Sequence, residues 1–279
     1  MESRIVFIYI VATSLLIVST FGYLEKGIID AQFGYTGPVA PDRWGTLSPN
    51  FSTCSHGKLQ SPINILKHKA SVNKDLKPLA EQLSSCNASL VNNGFNVGLR
   101  YPNNSGHLSI NGKNYTLKQM HWHAPSEHRL NGVQYAAELH LVHIAEDNSV
   151  SVVAILYRLG KPDPLLAKIQ NWLIELAKDV DKGDPKAEIA LGPGAVDIHQ
   201  LKKHAKKYYR YAGSFTTPPC TESVIWNILG KVRSVSKEQV EDLRAPLSLT
   251  CKKNARPCQP LNGRKVELYK ELRTTHSHK

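Results

Sequence analysis

The 279-residue sequence contains no apolar run long enough to cross a membrane with ease. Its N-terminal run Ile5–Val18 falls short of the about 20 apolar residues that a membrane-spanning helix needs. A basic residue precedes this run, and small residues such as Thr20 and Gly22 follow it. We therefore predict a cleaved secretory signal over residues 1–22 and a mature domain over residues 23–279. An uncleaved anchor or a buried strand is the alternative interpretation.

The rest of the chain lacks long linkers, low-complexity tracts and repeats, so one domain is the simplest division. Short extended runs dominate, and turn residues such as Asn92-Asn93-Gly94 separate them. Two helices are expected. Asp163 can cap the first, with Pro164 at its first position, and Ser236 with Gln239 can open the second. We predict a mainly β (α+β) fold with a large twisted central sheet and peripheral short helices.

Acidic residues are scarce, since 23 aspartates and glutamates face 35 lysines and arginines, for a formal net charge of +12. The basic residues cluster within residues 202–210 and 252–256. A nucleic-acid-binding protein can have such a charge, but no helix-turn-helix, zinc-finger or stacking-aromatic pattern accompanies it. We therefore predict no nucleic-acid partner, and a solvated basic face that attracts small anions or anionic surfaces.

Cysteine is also sparse, and its number is odd, so at least one thiol is unpaired or pairs between chains. Entry into the secretory pathway makes disulfides possible, but the spacing does not give their connectivity. The five cysteines are Cys54, Cys86, Cys220, Cys251 and Cys258. Glycosylation is expected at one or more of four Asn-x-Ser/Thr acceptors. These acceptors are Asn50, Asn87, Asn103 and Asn114.

Three histidines have the spacing of a metal site. His121 and His123 flank Trp122, and side chains at i and i+2 of a strand point to the same face. A neighbouring strand that carries His140 can complete a three-nitrogen site. Three neutral ligands with an open fourth position are typical of catalytic zinc. The alternative for each histidine is a hydrogen-bonded structural role.

The surroundings of the histidines strengthen this interpretation. Gln119 lies two residues before His121 and Glu138 two before His140, so each can support a ligand from the same face. A buried Glu138 is costly unless it is paired in this way. Downstream, two threonines precede Pro218-Pro219 in what we expect to be a rigid loop. A threonine hydroxyl beside a metal-bound hydroxide needs an acceptor for its own proton, and Glu127 is the candidate.

Five segments spread from about residue 33 to 268 resemble the alpha-class carbonic anhydrases, particularly those of plants, including the dioscorin storage-protein branch. They are Gln60–Ile65, Gln119–His128, Ala137–His143, Gly213–Glu222, and Asn254–Pro257 with Gln259-Pro260-Leu261. The resemblance covers essentially the whole predicted mature chain. It implies a mostly antiparallel central sheet of about ten strands, with Zn²⁺ in a conical cleft.

The resemblance also implies a role for individual residues. The zinc ligands would be His121, His123 and His140, with Thr216 as a hydroxyl gate bonded to Glu127. Three groups would support the ligands, namely Gln119, Glu138 and the backbone carbonyl of Asn254. An apolar carbon dioxide pocket would be lined by Val142, Val152, Phe215 and Trp226. Cleft waters would be ordered by Thr217, Tyr35 and Asn93. Cys54 and Cys220 would form a disulfide.

The implied activity is that of a carbonate dehydratase, a lyase. Zinc-bound hydroxide would attack carbon dioxide and form bicarbonate and a proton, reversibly. The chain departs from the family at Phe95, where a histidine that carries protons is expected, and at Phe215, where leucine is common. Phenylalanine cannot carry a proton, so we predict slow, buffer-dependent turnover. His56 or His107 would replace the shuttle only if it faces the cleft, while His128 and His143 are expected to be structural.

The sequence has two alternative functional interpretations. A catalytically weak storage or binding protein on the same fold is one alternative, although the intact histidines with Thr216 and Glu127 argue against lost activity. A cupin-type metal oxidase is the other, but Tyr115 occupies the place of that family's glycine and its second ligand block is absent. The leader and the resemblance to plant proteins predict the secretory pathway, ending in the apoplast or in the plastid. Sequence does not give the oligomeric state.

Overall fold

The structure is a computed structural model that describes residues 33–83, 87–101, 105–181, 183, 187–192, 194–196 and 205–271. The predicted secretory signal, Cys86 and the glycan acceptor Asn103 lie outside the described residues. The domain boundaries therefore remain predictions. Among the helices of the described part, none is both long and apolar enough to span a membrane.

The described residues form 16 strands, which fall into two sheets. The strands are β1 (Asn64–Ile65), β2 (Ser71–Val72), β3 (Ala80–Leu83), β4 (Ala88–Asn92), β5 (Val97–Arg100), β6 (Gly106–Ile110), β7 (Lys113–His123), β8 (Arg129–Leu130), β9 (Val133–Gln134), β10 (Ala137–Ile144), β11 (Val150–Leu159), β12 (Glu188–Leu191), β13 (Lys207–Ser214), β14 (Glu222–Leu229), β15 (Arg233–Val235) and β16 (Glu267–Lys270).

Thirteen of these strands form one large sheet, and β1, β8 and β9 form a small one. The main path of the large sheet runs β12-β4-β5-β7-β10-β11-β14-β13-β16-β2, with β15, β3 and β6 attached beside it. Most neighbours are antiparallel, while β14 and β15 each run parallel to β11, and β2 runs parallel to β16. The predicted mainly β fold is confirmed. The expected ten strands describe the main path, and the three side strands enlarge the sheet.

Four short or medium helices lie outside the sheet: α1 (Trp44–Leu47), α2 (Thr53–His56), α3 (Pro164–Asp181) and α4 (Lys237–Arg244). Asp163 caps α3 as predicted, because its Oδ1 accepts from the amides of Leu165 and Leu166 at 3.0 and 3.2 Å. The predicted capping box of Ser236 and Gln239 opens α4. Two 3₁₀ turns, Gly37–Val39 and Pro49–Phe51, complete the helical elements of the described residues.

The strands that carry the histidines are central, as predicted. All eight residues of β10 are buried, and β10 lies between β7 and β11. A strand covered on both faces must bury both sets of alternating side chains. In β10 one set contains Leu139, Leu141 and His143, and the other contains Glu138, His140 and Val142. The set with Glu138 and His140 therefore needs buried partners, and these partners make the site.

Candidate metal centre

The three predicted metal ligands come together on β7 and β10. His140 is directly opposite His121 in the antiparallel register, and His123 lies one strand repeat further along the same face. The ring centroids are 4.7–5.0 Å apart. One ligand nitrogen from each of the three rings lies within 4.8 Å of the others. This donor set of three imidazoles fits the protein ligands of a catalytic zinc.

Each ring is held through the nitrogen that points away from the cluster. The contacts are His121 Nδ1 to Gln119 Oε1 at 2.7 Å, His123 Nδ1 to the Asn254 carbonyl at 2.6 Å, and His140 Nε2 to Glu138 Oε1 at 2.8 Å. Because the acceptors fix the ring protons there, the inner nitrogens are left as lone pairs. His123 Nε2 is buried and has no hydrogen-bond partner among the residues that the structure describes. A buried orphan nitrogen facing two others fits a metal ion.

Burial also keeps these rings neutral. It lowers the pKa of His121 well below 6.5 and that of His123 to about 4. Burial is also the largest cause of the lowered pKa of His140, although Glu138 opposes it. Neutral imidazole is the form that binds a metal, so the site needs little proton release before it can be filled.

Glu138 anchors the cluster from behind. It is fully buried and accepts four hydrogen bonds, two on each oxygen. Oε2 accepts from the backbone amides of Glu127 and His128 at 2.9 and 2.8 Å. Oε1 accepts from His140 and from His128 Nδ1, the latter at 2.6 Å. Burial by itself raises the pKa of Glu138, but the interactions with His128 and His140 hold it well below its usual value. The carboxylate is therefore ionised.

A buried hydrogen-bond chain extends this anchor beyond the residues that sequence reasoning selected. His128 Nε2 lies 2.7 Å from the Tyr211 hydroxyl, which lies 2.8 Å from Ser61 Oγ. Ser61 in turn exchanges two hydrogen bonds with Ser214, at 2.9 and 3.0 Å. The chain connects Glu138 to the start of the loop that carries Thr216. Ser61 lies in a segment that carried the family resemblance, whereas no local pattern marked Tyr211.

Thr216 and Glu127 are adjacent, and both are buried, with 5% and 1% exposure. Glu127 Oε1 accepts from the Arg256 amide at 2.9 Å, while Oε2 lies 3.5 Å from His123 Nε2. Burial raises the pKa of Glu127 to about 7, and a hydrogen bond with the Thr216 side chain is among the effects that lower it. Oε2 nevertheless has no partner at full hydrogen-bond geometry. A carboxylate with a spare lone pair thus stands beside the Thr216 hydroxyl.

The loop that carries Thr216 is fastened at several points. The Cys54–Cys220 disulfide implied by the resemblance is present. The Phe215 amide donates to the Thr221 carbonyl, and the Cys220 amide donates to the Thr217 carbonyl, both at 2.9 Å. Phe215 and Thr217, which flank Thr216, are partly exposed. Arg256, which the sequence placed in a solvated basic cluster, is instead buried. Its guanidinium donates to Gln60, Ser61 and Cys54 at 2.8 Å and so anchors the N-terminal segment that bonds to this loop.

Three of the four predicted pocket residues form one buried row beside the histidines. Val142 is opposite Val152, and Val152 is opposite Trp226. The Trp226 ring centroid lies 4.8 Å from that of His140. This row is an apolar wall next to the metal-binding nitrogens. Tyr35, expected to order cleft waters, is buried with no hydrogen-bond partner for its hydroxyl.

Phe95 belongs to an aromatic cluster and not to a polar relay. Its ring centroid lies 4.9 Å from that of Phe33, which also contacts Tyr35 and Trp44. The Phe95 carbonyl accepts from Asn254 Nδ2 at 3.0 Å. Of the two substitute histidines, His56 is exposed at the end of α2, and His107 lies on β6. The described contacts join neither of them to the three histidines.

The remaining predicted positions are on the surface or apart from the site. The glycan acceptors Asn50, Asn87 and Asn114 are exposed. Cys251 is a buried free thiol, and Cys258 is a partly buried one. Exposure makes the three asparagines accessible to the predicted glycosylation.

Comparison with known proteins places these features in context. The family model "Eukaryotic-type carbonic anhydrase" matches residues 39–270. Alpha carbonic anhydrase 7 of Arabidopsis thaliana is 36% identical over 256 residues, which cover 91% of this chain and 90% of the relative. Dioscorin dioA3 of Dioscorea japonica is 36% identical over 269 residues, which cover 96% of each protein.

Two solved structures show the same fold. A dioscorin complexed with ascorbate superposes with a TM-score of 0.82 at 38% identity, covering 87% of this chain and all of that chain. The alpha-carbonic anhydrase of Thermovibrio ammonificans, solved with the inhibitor sulfanilamide, has a TM-score of 0.73 at 34% identity. The superposition covers 85% of this chain and 99% of the Thermovibrio ammonificans chain.

Proposed function

Because this chain belongs to the eukaryotic-type carbonic anhydrase family, we propose that it is a zinc enzyme that hydrates carbon dioxide reversibly to bicarbonate and a proton. The observation that carries the proposal is the state of the three imidazoles. Each outer nitrogen is bonded to an acceptor, buried for His123 and His140 and partly buried for His121, and burial favours the neutral rings, so the inner nitrogens can bind a cation. Zinc held there would supply a Lewis acid that makes a water molecule acidic near neutral pH.

Thr216 and Glu127 orient the nucleophile in this proposal. The Thr216 hydroxyl donates its proton to a Glu127 carboxylate oxygen and keeps its lone pairs for the attacking water. Glu127 can accept because the Arg256 amide bonds one of its oxygens and the other has no fully formed bond among the described residues, and both the Arg256 and Thr216 bonds oppose the rise in pKa that burial causes. The backbone N–H of Thr216 then faces the substrate oxygen. A fixed acceptor and donor at one residue would select a single direction of attack.

Val142, Val152 and Trp226 supply the place for carbon dioxide. They form a buried apolar row beside His140, and such a wall excludes water without offering hydrogen bonds. Carbon dioxide is small and apolar, so it suits this surface better than water does. Phe215 would narrow the pocket from the loop side.

Removal of the proton is the slow step of the proposed reaction. The ring of Phe95 cannot carry a proton, and it packs on Phe33 within an aromatic cluster. Buffer molecules would therefore have to collect the proton. We infer that turnover rises with the concentration of a buffer such as imidazole.

A storage or binding protein with weak activity is the second candidate. Two observations favour it: the replacement at Phe95, and the similarity to dioscorins at 36% identity over nearly the whole chain. One solved dioscorin relative is complexed with ascorbate. The intact set of histidines is the observation against this candidate.

The deciding experiment is stopped-flow carbon dioxide hydration with zinc content measured on the same protein, at low and high imidazole. We expect one zinc per chain, a rate that climbs with imidazole, and loss of both zinc and activity in His140→Ala. Full zinc without hydration above that variant would reject the enzyme and favour the storage or binding protein.

We also propose that residues 1–22 direct a mature domain of residues 23–279 into the secretory pathway, to the apoplast or to the plastid. The apolar run at Ile5–Val18 and the N-glycan acceptors support this proposal. Expression of the full chain in plant cells, with N-terminal sequencing and fractionation, tests it. An intact N-terminus on a cytosolic product would contradict it.

A further inference from the structure

A groove of about 490 Å³ lies where strand β4 begins and strands β5 and β12 end. The pairing of residues between neighbouring strands shows which face of the sheet the polar residues of the groove occupy. Gln119 is opposite Arg100, Arg100 is opposite Ser89, and Ser89 is opposite Ala190. Gln119 holds His121, so this whole row shares the face of the metal-binding histidines. The polar row of the groove, here named the Arg100 groove, is thus on the histidine face of strands beside β7, whereas Leu191 and Tyr101 have the opposite parity and line it at the strand ends.

The lining combines one cation with apolar walls. Arg100, Ser89 and Asn87 provide the polar groups, and Ala190, Leu191 and Tyr101 provide apolar surface. A volume of several hundred cubic ångströms with few polar groups is typical of small-molecule sites. A guanidinium presents its N–H groups in a planar fork that matches a carboxylate. A lone cation among apolar walls suits a monoanion with an apolar body better than a phosphate.

Arg100 has donors to spare. The described residues use two of its contacts, Nη1 to Glu188 Oε2 at 3.4 Å and Nη2 to Asn93 Oδ1 at 3.1 Å. A guanidinium has five N–H donors. The pair with Glu188 is long and exposed, with side-chain exposures of 38% and 47%, so it contributes little and can be exchanged.

We propose that the Arg100 groove binds a small organic carboxylate, with the carboxylate on Arg100 and its apolar body against Ala190, Leu191 and Tyr101. The site goes beyond carbon dioxide hydration and does not depend on a metal. Glu188 competes with the ligand for Arg100. Gly192 lines the groove, and a Cβ added there would meet no atom of the described residues within 4 Å.

The test is calorimetric titration with benzoate of the mature protein made in a bacterial periplasm. Disulfides form there, and no plant-type glycan is added at Asn87. Zinc-loaded protein and His140→Ala are titrated in parallel, which separates the groove from any carboxylate binding to the metal. We expect saturable binding in both. Arg100→Gln should weaken binding about tenfold, and Glu188→Gln should tighten it about threefold by removing the competitor.

Two further variants locate the site. Gly192→Phe should abolish benzoate binding, since it fills the groove and the backbone of Gly192 has an ordinary φ. Arg43→Gln makes the same charge change at an exposed residue whose ion-pair partner in the described part of the chain is Asp42, and it should leave binding unchanged. Thermal melting confirms that each variant is folded, and if Arg100→Gln is not, Glu188→Gln and Gly192→Phe decide. Absence of binding to the wild type, normal binding to Gly192→Phe, or equal weakening by Arg43→Gln would overturn the proposal.

Discussion

Two regions of the cleft differ in how their side chains are held. The floor consists of Gln119, His121, His123, Glu138 and His140, and the rim consists of Asn93, Phe95, Arg100 and Glu188. All floor side chains except the partly buried Gln119 are buried, and short hydrogen bonds fix their rings and carboxylate. The rim side chains are partly buried except Glu188, which is exposed, and the charged pair of Arg100 and Glu188 spans 3.4 Å. The floor therefore determines which chemistry is possible, and the rim determines how fast it runs and what binds nearby.

The strongest contrast should appear between two glutamates. Glu138→Gln leaves the four donors around that side chain facing an amide that cannot accept from all of them. The two donors that face the new amide nitrogen are left unpaired at a cost of about 1–3 kcal/mol each, so we expect unfolding free energy to fall by about 2–6 kcal/mol. Zinc affinity should also fall about 10–100-fold, because His140 loses its orienting acceptor. Urea unfolding and competition with a zinc chelator measure the two effects.

Glu188→Gln is the matched control on the rim. It makes the same chemical change to a glutamate whose ion pair is exposed and long. We expect unfolding free energy to change by less than about 0.5 kcal/mol and zinc affinity not to change. Equal losses in the two variants would show that the floor is no more tightly specified than the rim.

The reverse face of the floor strand offers a pH test. His143 follows His140 on β10, is fully buried, and has its pKa lowered by burial to about 4. An unfolded histidine titrates near 6.5, so below that pH the unfolded chain binds the proton more tightly. The stability that the neutral ring supports is present above pH 6.5 and is lost as pH falls toward 4. At pH 4 the loss should reach about 3 kcal/mol.

His143→Gln isolates this contribution, because other buried groups titrate in both proteins. The variant is expected to be less stable than the wild type at pH 7, since it disturbs the hydrogen bond of His143 Nδ1 with the Leu141 carbonyl at 3.0 Å. Its stability should nevertheless fall less steeply between pH 6.5 and pH 4. Parallel curves for the two proteins in urea unfolding would show that His143 is not the group responsible.

On the rim, Phe95→His should speed turnover. It restores a proton carrier at the position where the family resemblance implies one, in a partly exposed setting that leaves a histidine pKa near neutrality. We expect the rate at low buffer to rise about tenfold and the dependence on imidazole to weaken. Phe95→Ala is the control, since it opens the same space without a titrating group. Equal acceleration by alanine would mean that crowding limits turnover and proton transfer does not.

Much of the floor could be predicted from sequence because its information is local. The i, i+2 spacing of His121 and His123, and of Glu138 and His140, places each pair on one strand face. The capping residues Asp163 and Ser236 likewise act within three residues of themselves. Such patterns can be recognised in the sequence without knowledge of the fold. The family resemblance then supplied the pairing of strands that brings His140 to His121.

The parts that were missed depend on contacts between distant residues. Tyr211 joins His128 to Ser61, across 83 and 150 positions of the chain. Arg256 reaches Cys54 across 202 positions. No sequence periodicity identifies such residues, because their contacts form only when distant segments, such as β13, have taken their places in the fold. The Arg100 groove is similar, since it needs the row across β7, β5, β4 and β12. The side strands β3, β6 and β15 also went unpredicted, since each is short and attaches to the edge of a longer strand.

The smallest expected effect concerns Cys258, which lies behind the floor. Its sulfur lies 3.6 Å from the Glu127 carbonyl, and burial raises the pKa of the thiol to about 11. Alkylation requires the thiolate, so iodoacetamide at pH 8 should modify Cys258 at least about a hundredfold more slowly than a free thiol of pKa about 8.5. Peptide mass spectrometry over time measures this rate, and the reaction in urea is the control for the unfolded chain. Cys258→Ser should leave carbon dioxide hydration within about twofold of the wild type, because the described contacts of the thiol are with the backbone of Glu127 and Arg129 and not with the side chains of the site. Rapid alkylation of the folded protein would mean that solvent reaches the back of Glu127, and the contrast between a dry floor and a wet rim would then not hold.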